Sequence, residues 1–146
     1  MAVRQKREDD VPRGIFVDTG AWAALADKDD AHHDDAASIL PSLLKTHRAL
    51  ITSNLVVAES YILILKLLGH DAAIQFLDRI NGSPRIVKVY SVPEIEKEAE
   101  ETLKKFADQD FSYADAVSFA VMKVQRINKA FAFDKHFETM GFTRLP

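Results

Sequence analysis

The chain has no cysteine, only five glycines and no unbroken apolar stretch of bilayer length. Without cysteine there is neither a disulfide framework nor a thiolate metal site. A membrane-spanning helix needs about 18 apolar residues. The longest candidate, Leu55 to Leu68, is interrupted by Glu59, Ser60, Tyr61 and Lys66. Met1 to Asp10 is charged and lacks the apolar segment of a secretory signal. A cytoplasmic protein with no membrane partner is therefore expected. An excess of positive charge is missing too: the net charge is −3 and the pI about 5.9. That excludes a protein that coats nucleic acid through bulk charge. Any polyanionic substrate must be met by a local positive patch or by metal ions.

What is present is the make-up of one globular domain: 146 residues, 47% hydrophobic and 28% charged. Residues 1–14 read as a polar lead-in, with Arg4, Lys6 and Arg7 set against Glu8, Asp9 and Asp10, and the folded domain is expected over 15–146. The lead-in is expected to be a solvated tail, with a basic arm touching RNA as the lesser reading. From Ile15 onward, strand and helix signals alternate. Ile15-Phe16-Val17 is a buried-strand signal, followed by a helix from Gly20 to Ala26. Asp30 is placed to cap a second helix reaching Lys45, although Pro41 would remove one of its hydrogen bonds. Leu50-Ile51-Thr52 predicts a strand, with Asn54 capping a long helix that stops at Gly69. His70 to Ile80 is helical up to the turn pair Asn81-Gly82, Arg85 to Tyr90 alternates as a strand, and Pro93 opens an amphipathic helix to Phe106. Ser112 caps a helix to about Arg126, and Ala130 to Phe133 and Phe142 to Leu145 are the last strand signals. Short strands separated by helices imply parallel pairing through crossovers, an α/β sandwich.

In such a sheet, ligands gather beyond the carboxyl ends of the strands. Asp18 follows the first strand and Asp134 follows Phe131-Ala132-Phe133. Either could equally be a helix cap or turn residue. Glu59 is expected inside an apolar stripe formed by Leu55, Val56, Ile62 and Leu63, where an unpaired carboxylate is costly and only Lys66 is offered locally. Asp115 has a plain structural role available, because Ser112-Tyr113-Ala114-Asp115 matches a capping box. Four carboxylates in one cleft cannot all ionise without something positive between them. An oxygen-only donor set suits hard cations such as Mg²⁺ or Mn²⁺, and a cation so held suits phosphodiester chemistry.

Val17-Asp18-Thr19-Gly20-Ala21, Thr52-Ser53 leading to Ala58-Glu59, Ser112-Tyr113-Ala114-Asp115-Ala116, and Ala132-Phe133-Asp134-Lys135-His136-Phe137 with Gly141-Phe142 resemble, in order, the motifs of the PIN domain. The nearest branch is that of the VapC-type toxin ribonucleases. The resemblance runs from Ile15 to the end of the chain. It implies a three-layer α/β/α sandwich with a mainly parallel sheet, RNA as substrate, and Mg²⁺ or Mn²⁺ at the acidic cluster. Asp18, Glu59 and Asp115 match the three core acidic positions, Asp134 matches a more variable fourth, and Thr19 and Ser112 match supporting polar positions. It also implies a homodimer and, for the toxin branch, a small antitoxin whose C-terminal segment lies over the site.

Other signals are expected to be inert. Asp27 to Asp35, with His32 and His33, reads as a solvated helix start, His136 as a surface residue, Trp22 as packing in the domain or at a dimer contact, and Asp110 as part of the turn before Ser112, with the site as its lesser reading. Lys123, Arg126, Lys129 and Lys135 are candidates for a basic patch or simply a solvated face. Asp18-Thr19-Gly20 is also the aspartic-protease triplet, but that fold is mostly β and this chain is mostly helical. A receiver domain would need paired acids where Val17 precedes Asp18. The remaining rival is a non-cutting PIN domain that binds RNA or protein; such domains lose acidic positions, and all four are present here.

Overall fold

The computed structural model describes residues 14–146, so the charged lead-in and its basic arm lie outside the described residues. In chain order the elements are β1 (Gly14–Val17), α1 (Thr19–Ala26), α2 (His33–Thr46), β2 (Ala49–Ser53), α3 (Asn54–Leu68), α4 (His70–Gly82), β3 (Ile86–Val89), α5 (Pro93–Lys105), α6 (Tyr113–Val124), β4 (Lys129–Phe131), α7 (His136–Thr139) and β5 (Thr143–Leu145). The strands form one parallel sheet in the order β3-β2-β1-β4-β5. With the right-handed crossovers that parallel strands adopt, this strand order places α1–α4 on one face and α5–α7 on the other, a three-layer α/β/α sandwich. Ile15, Phe16 and Val17 are fully buried, as are Ala130 and Phe131 of the neighbouring strand. The central strands therefore read as unbroken apolar runs because both faces are covered.

Strand order reverses at β1: the chain steps outward through β2 to β3, then crosses back to β4 on the other side of β1. The crevice at the carboxyl ends of β1 and β4 is thus a topological switch point. Close strand approach is enforced at the other end of β1, where a Cβ on Gly14 would lie 2.5 Å from Ile51 Cγ1. β1 accordingly begins at Gly14 rather than Ile15.

Local details depart from the sequence reading at several termini. α2 starts at His33 behind His32, because Asp30 spends its carboxylate on the His32 amide at 2.8 Å instead of capping a helix. α2 also runs straight through Pro41, which sits on its exposed side. Ser53, not Asn54, caps α3, accepting the Val56 N–H at 3.1 Å, while Asn54 reaches across to the Ser91 N–H at 2.9 Å. Trp22 packs as expected: it is 7% exposed, lies edge-on to Phe76, and donates its indole N–H to Thr52 Oγ1 at 3.4 Å.

Candidate active site

Asp18 stands on the last turn of backbone leaving β1. Its amide donates to the Phe131 carbonyl at 3.1 Å, tying β1 to β4, and its carbonyl accepts the Ala21 and Trp22 amides in the first turn of α1. Its side chain makes no capping bond to that helix, so the cap role that would have explained it is not taken up. The residue is 7% exposed. Burial pushes its carboxyl up to about 7; the nearby Thr19 amide opposes this, and the charges of Asp115, Asp134 and Glu59 add to it in smaller measure.

Glu59 requires a correction. Its position on α3 is exposed, not enclosed in an apolar stripe. The buried face of α3 is Val56, Val57, Ser60 and Ile64, and Ile62, assigned to the stripe from sequence, is 50% exposed. The side chain leans toward the strand ends, where Thr19 Oγ1 donates to its Oε2 at 3.3 Å. Partial burial of the carboxyl raises its pKa, with a smaller contribution from Asp115.

Asp115 does both things its sequence context offered. The capping box is complete: the Ser112 hydroxyl accepts the Asp115 N–H at 3.0 Å and Asp115 Oδ2 accepts the Ser112 N–H at 3.1 Å. The same carboxylate faces the charges of Asp18 and Glu59. Asp134 is likewise double: its Oδ1 accepts the His136 N–H at 2.9 Å to open α7, and its charge acts on Asp18.

His136 is the residue the sequence reading missed. Instead of lying free on the surface, its side chain is 20% exposed, with Nδ1 at 3.1 Å from Asp115 Oδ2 and 3.3 Å from Asp134 Oδ1, and Nε2 at 2.9 Å from Asp110 Oδ1. Asp115, Asp134 and His136 could jointly ligate a cation, since one ligand atom from each falls within 4.8 Å of the others. The Asp27–Asp35 stretch is also less inert than expected. His33 Nδ1 contacts the Ala24 carbonyl at 2.7 Å, and His32 stacks on Phe133 at 4.2 Å between ring centres.

The four basic residues do not make a patch at this edge. Lys123 pairs with Glu98 at 2.7 Å, and Lys129 opens β4 at the amino end of the sheet. Arg126 lies beyond the C-terminus of α6, the end away from Asp115, and Lys135 alone adjoins the carboxylates, next to Asp134 in the chain. Two cavities of about 550 and 560 Å³ lie elsewhere, one along α5 and α6 and one under α1, α2 and α4, and no carboxylate of the cluster lines either.

Fold and cluster together define an α/β/α sandwich with carboxylates gathered at the carboxyl edge of a parallel sheet, at its switch point. The model of the PIN domain matches residues 15–143. The chain is 36% identical, over 90% of its length and 97% of the relative's, to the protein described as 23S rRNA-specific endonuclease VapC20 of Mycobacterium tuberculosis. The crystal structure of that protein, described as a sarcin-ricin loop cleaving toxin, superposes with a TM-score of 0.82 at 35% identity, covering 88% of this chain and 96% of the other. FitAcB from Neisseria gonorrhoeae shares the fold at a TM-score of 0.61 and 19% identity, over 90% and 96% of the two chains. The chain belongs to the PIN domain family.

Proposed function

We propose that the chain is a metal-dependent endoribonuclease that hydrolyses RNA phosphodiester bonds at Asp18, Glu59, Asp115 and Asp134, and that it is the toxin of a toxin–antitoxin pair. The observation that carries this reading is the buried Asp18, whose carboxyl is held at about 7 by its surroundings and by three other carboxylates. Burial first, and the neighbouring carboxylates after it, disfavour the ionised form of Asp18, and a cation held among them would offset both. The donors are all oxygen, so Mg²⁺ or Mn²⁺ fits them. Such an ion would polarise a phosphoryl oxygen and lower the pKa of a bound water.

The chain's own residues supply the frame. Ser112 fixes Asp115 through its backbone and Thr19 holds Glu59 through its hydroxyl. Asp18 is fixed by the end of β1 itself, so the carboxylates are set before any ligand arrives. RNA as the substrate class is supported by the likeness to a protein described as an rRNA endonuclease. We also propose a folded domain over 15–146 behind a polar lead-in at 1–14, a homodimer, a small antitoxin protein as partner, and a cytoplasmic location. The homodimer draws support from exposed apolar residues on α3 and α4, namely Ile62, Leu65, Leu67, Leu68 and Ile74. No helix among the described residues is long and apolar enough to cross a membrane.

The test uses an RNA stem-loop carrying the sarcin–ricin sequence, with an unrelated hairpin as control. Cleavage is expected with Mn²⁺ or Mg²⁺ and is lost in excess EDTA. Undiminished cleavage in the chelator refutes the mechanism.

A further inference from the structure

We infer that His136, braced by Asp110, is a positioning residue that holds the Asp115 carboxylate ready for its cation. The inference rests on the reading of Asp115 as a cation-holding residue and adds two residues to it.

The imidazole is fixed from three directions. Its backbone N–H is taken by Asp134 Oδ1 at 2.9 Å, its ring lies edge-on to Phe111 with centres 4.9 Å apart, and its Nε2 meets Asp110 Oδ1 at 2.9 Å. What remains is Nδ1, which meets Asp115 Oδ2 at 3.1 Å and lies 3.3 Å from Asp134 Oδ1. That oxygen already receives the Ser112 N–H at 3.1 Å. The capping box is complete without His136, so the second grip on Oδ2 is not needed for the helix. Its geometric effect is to fix the carboxylate's rotation about its last bond. Among the described residues both of these contacts fall on Oδ2 and no hydrogen bond falls on Oδ1.

Asp110 makes sense only as the far end of this chain of contacts. Its side chain is 95% exposed, so it stabilises little by itself. Carboxylates on both nitrogens need an N–H on each, so the ring that serves Asp110 and Asp115 together is the imidazolium, and Asp110 sets which way that ring faces. Residues of this kind, one contact removed from a metal, change metal affinity by about 10–100-fold when lost.

The experiment is calorimetric titration of the full chain with Mn²⁺, with thermal melts in EDTA alongside. His136→Phe keeps the ring against Phe111 and removes its polar contacts to Asp110, Asp115 and Asp134; Mn²⁺ binding is expected to weaken about tenfold or more. His136→Asn places an amide donor near the Nδ1 position and should recover most of that loss. Asp110→Ala, at an exposed position, should weaken binding several-fold on the order expected for an outer-shell partner, with an unchanged melt. Placed on top of His136→Phe, it should add nothing. The result that overturns the inference is His136→Phe or Asp110→Ala binding Mn²⁺ within about twofold of the unaltered chain, while Asp115→Asn loses binding. If Asp115→Asn itself binds normally, the cation reading of Asp115 falls, and this inference with it. Imidazole nitrogen coupling in the pulsed-EPR spectrum of the Mn²⁺-loaded protein would make His136 a ligand, and that also overturns the positioning role.

Discussion

Removing the charge of Asp18 should make the metal-free protein more stable, and by an amount that depends on pH in a defined way. The carboxyl is raised from 3.8 to about 7 in the folded protein. Between those values the folded chain holds a proton that the unfolded chain has released. Stability therefore falls as pH rises, by about 1.4 kcal/mol per pH unit. The contribution is fully present below pH 3.8, is lost as pH climbs through about 7, and is flat above that. Over the whole window the loss is about 4 kcal/mol, large because Asp18 is 7% exposed and water screens it little. Asp18→Asn keeps the shape and cannot ionise. Urea unfolding of both proteins in chelator, at pH 5, 6, 7 and 8, is the assay. The variant's advantage should grow by about 1.4 kcal/mol per unit from pH 5 to 7 and level off near 8. His47, buried with Nε2 unpartnered and its pKa lowered by burial, weakens the fold as pH drops below 6.5, but equally in both proteins, so the difference isolates Asp18. Saturating Mn²⁺ should narrow the gap, stabilising the unaltered chain by about 2.7 kcal/mol at a hundredfold excess over Kd and by about 4.1 kcal/mol at a thousandfold excess. A difference that does not change with pH would refute the burial-and-repulsion account of Asp18.

Glu59→Gln should cut Mn²⁺ affinity and RNA cleavage sharply while shifting stability in EDTA by no more than about 0.5 kcal/mol, because the residue is exposed; a mutant that cuts normally but melts far lower would make Glu59 structural. Arg85 donates to the Arg48, Leu44 and His47 carbonyls at the end of α2, so Arg85→Ala should cost about 1–3 kcal/mol by urea titration, with cleavage per folded molecule unchanged because the contact lies at the amino end of the sheet. Light scattering at micromolar concentration should give the mass of a dimer, and Leu67→Glu with Leu68→Glu should give a monomer; a monomeric unaltered chain would reject the apolar face of α3 and α4 as the contact.

The strands were legible in the sequence because a two-sided parallel sheet writes its core as unbroken apolar runs, as at Ile15-Phe16-Val17. Helix ends at Gly69 and Ser112 were legible because their signals are local: a positive φ of 92° at Gly69 and a capping box at Ser112. Asp30 and Asn54 misled because a short polar side chain can serve any amide within reach, and which one it serves is settled by the chain's path. Glu59 misled for a different reason. Periodicity identified an apolar side of α3, but periodicity does not say whether that side is covered, and Ile62 and Leu67 show that part of it is not. His136 could not be read at all, because two of its partners, Asp110 and Asp115, lie 26 and 21 residues away.

Asp115 and Asp134 explain why residue-by-residue odds could not separate structure from chemistry. Each completes a local backbone motif, a capping box at α6 and a turn into α7, and each also acts electrostatically on Asp18. The two roles are compatible because a carboxylate has two oxygens: Oδ2 of Asp115 serves the helix, and among the described residues no hydrogen bond takes up Oδ1. Building the cluster from residues that helices and turns already need ties one oxygen of each to the local backbone. The consequence for experiment is that neutralising Asp115 also weakens a helix cap, worth about 1 kcal/mol. Lost cleavage in Asp115→Asn therefore mixes two causes. Asp18, whose side chain caps nothing, and Glu59, which is exposed on its helix, have no such second duty, and they are where the chemistry can be tested apart from the fold.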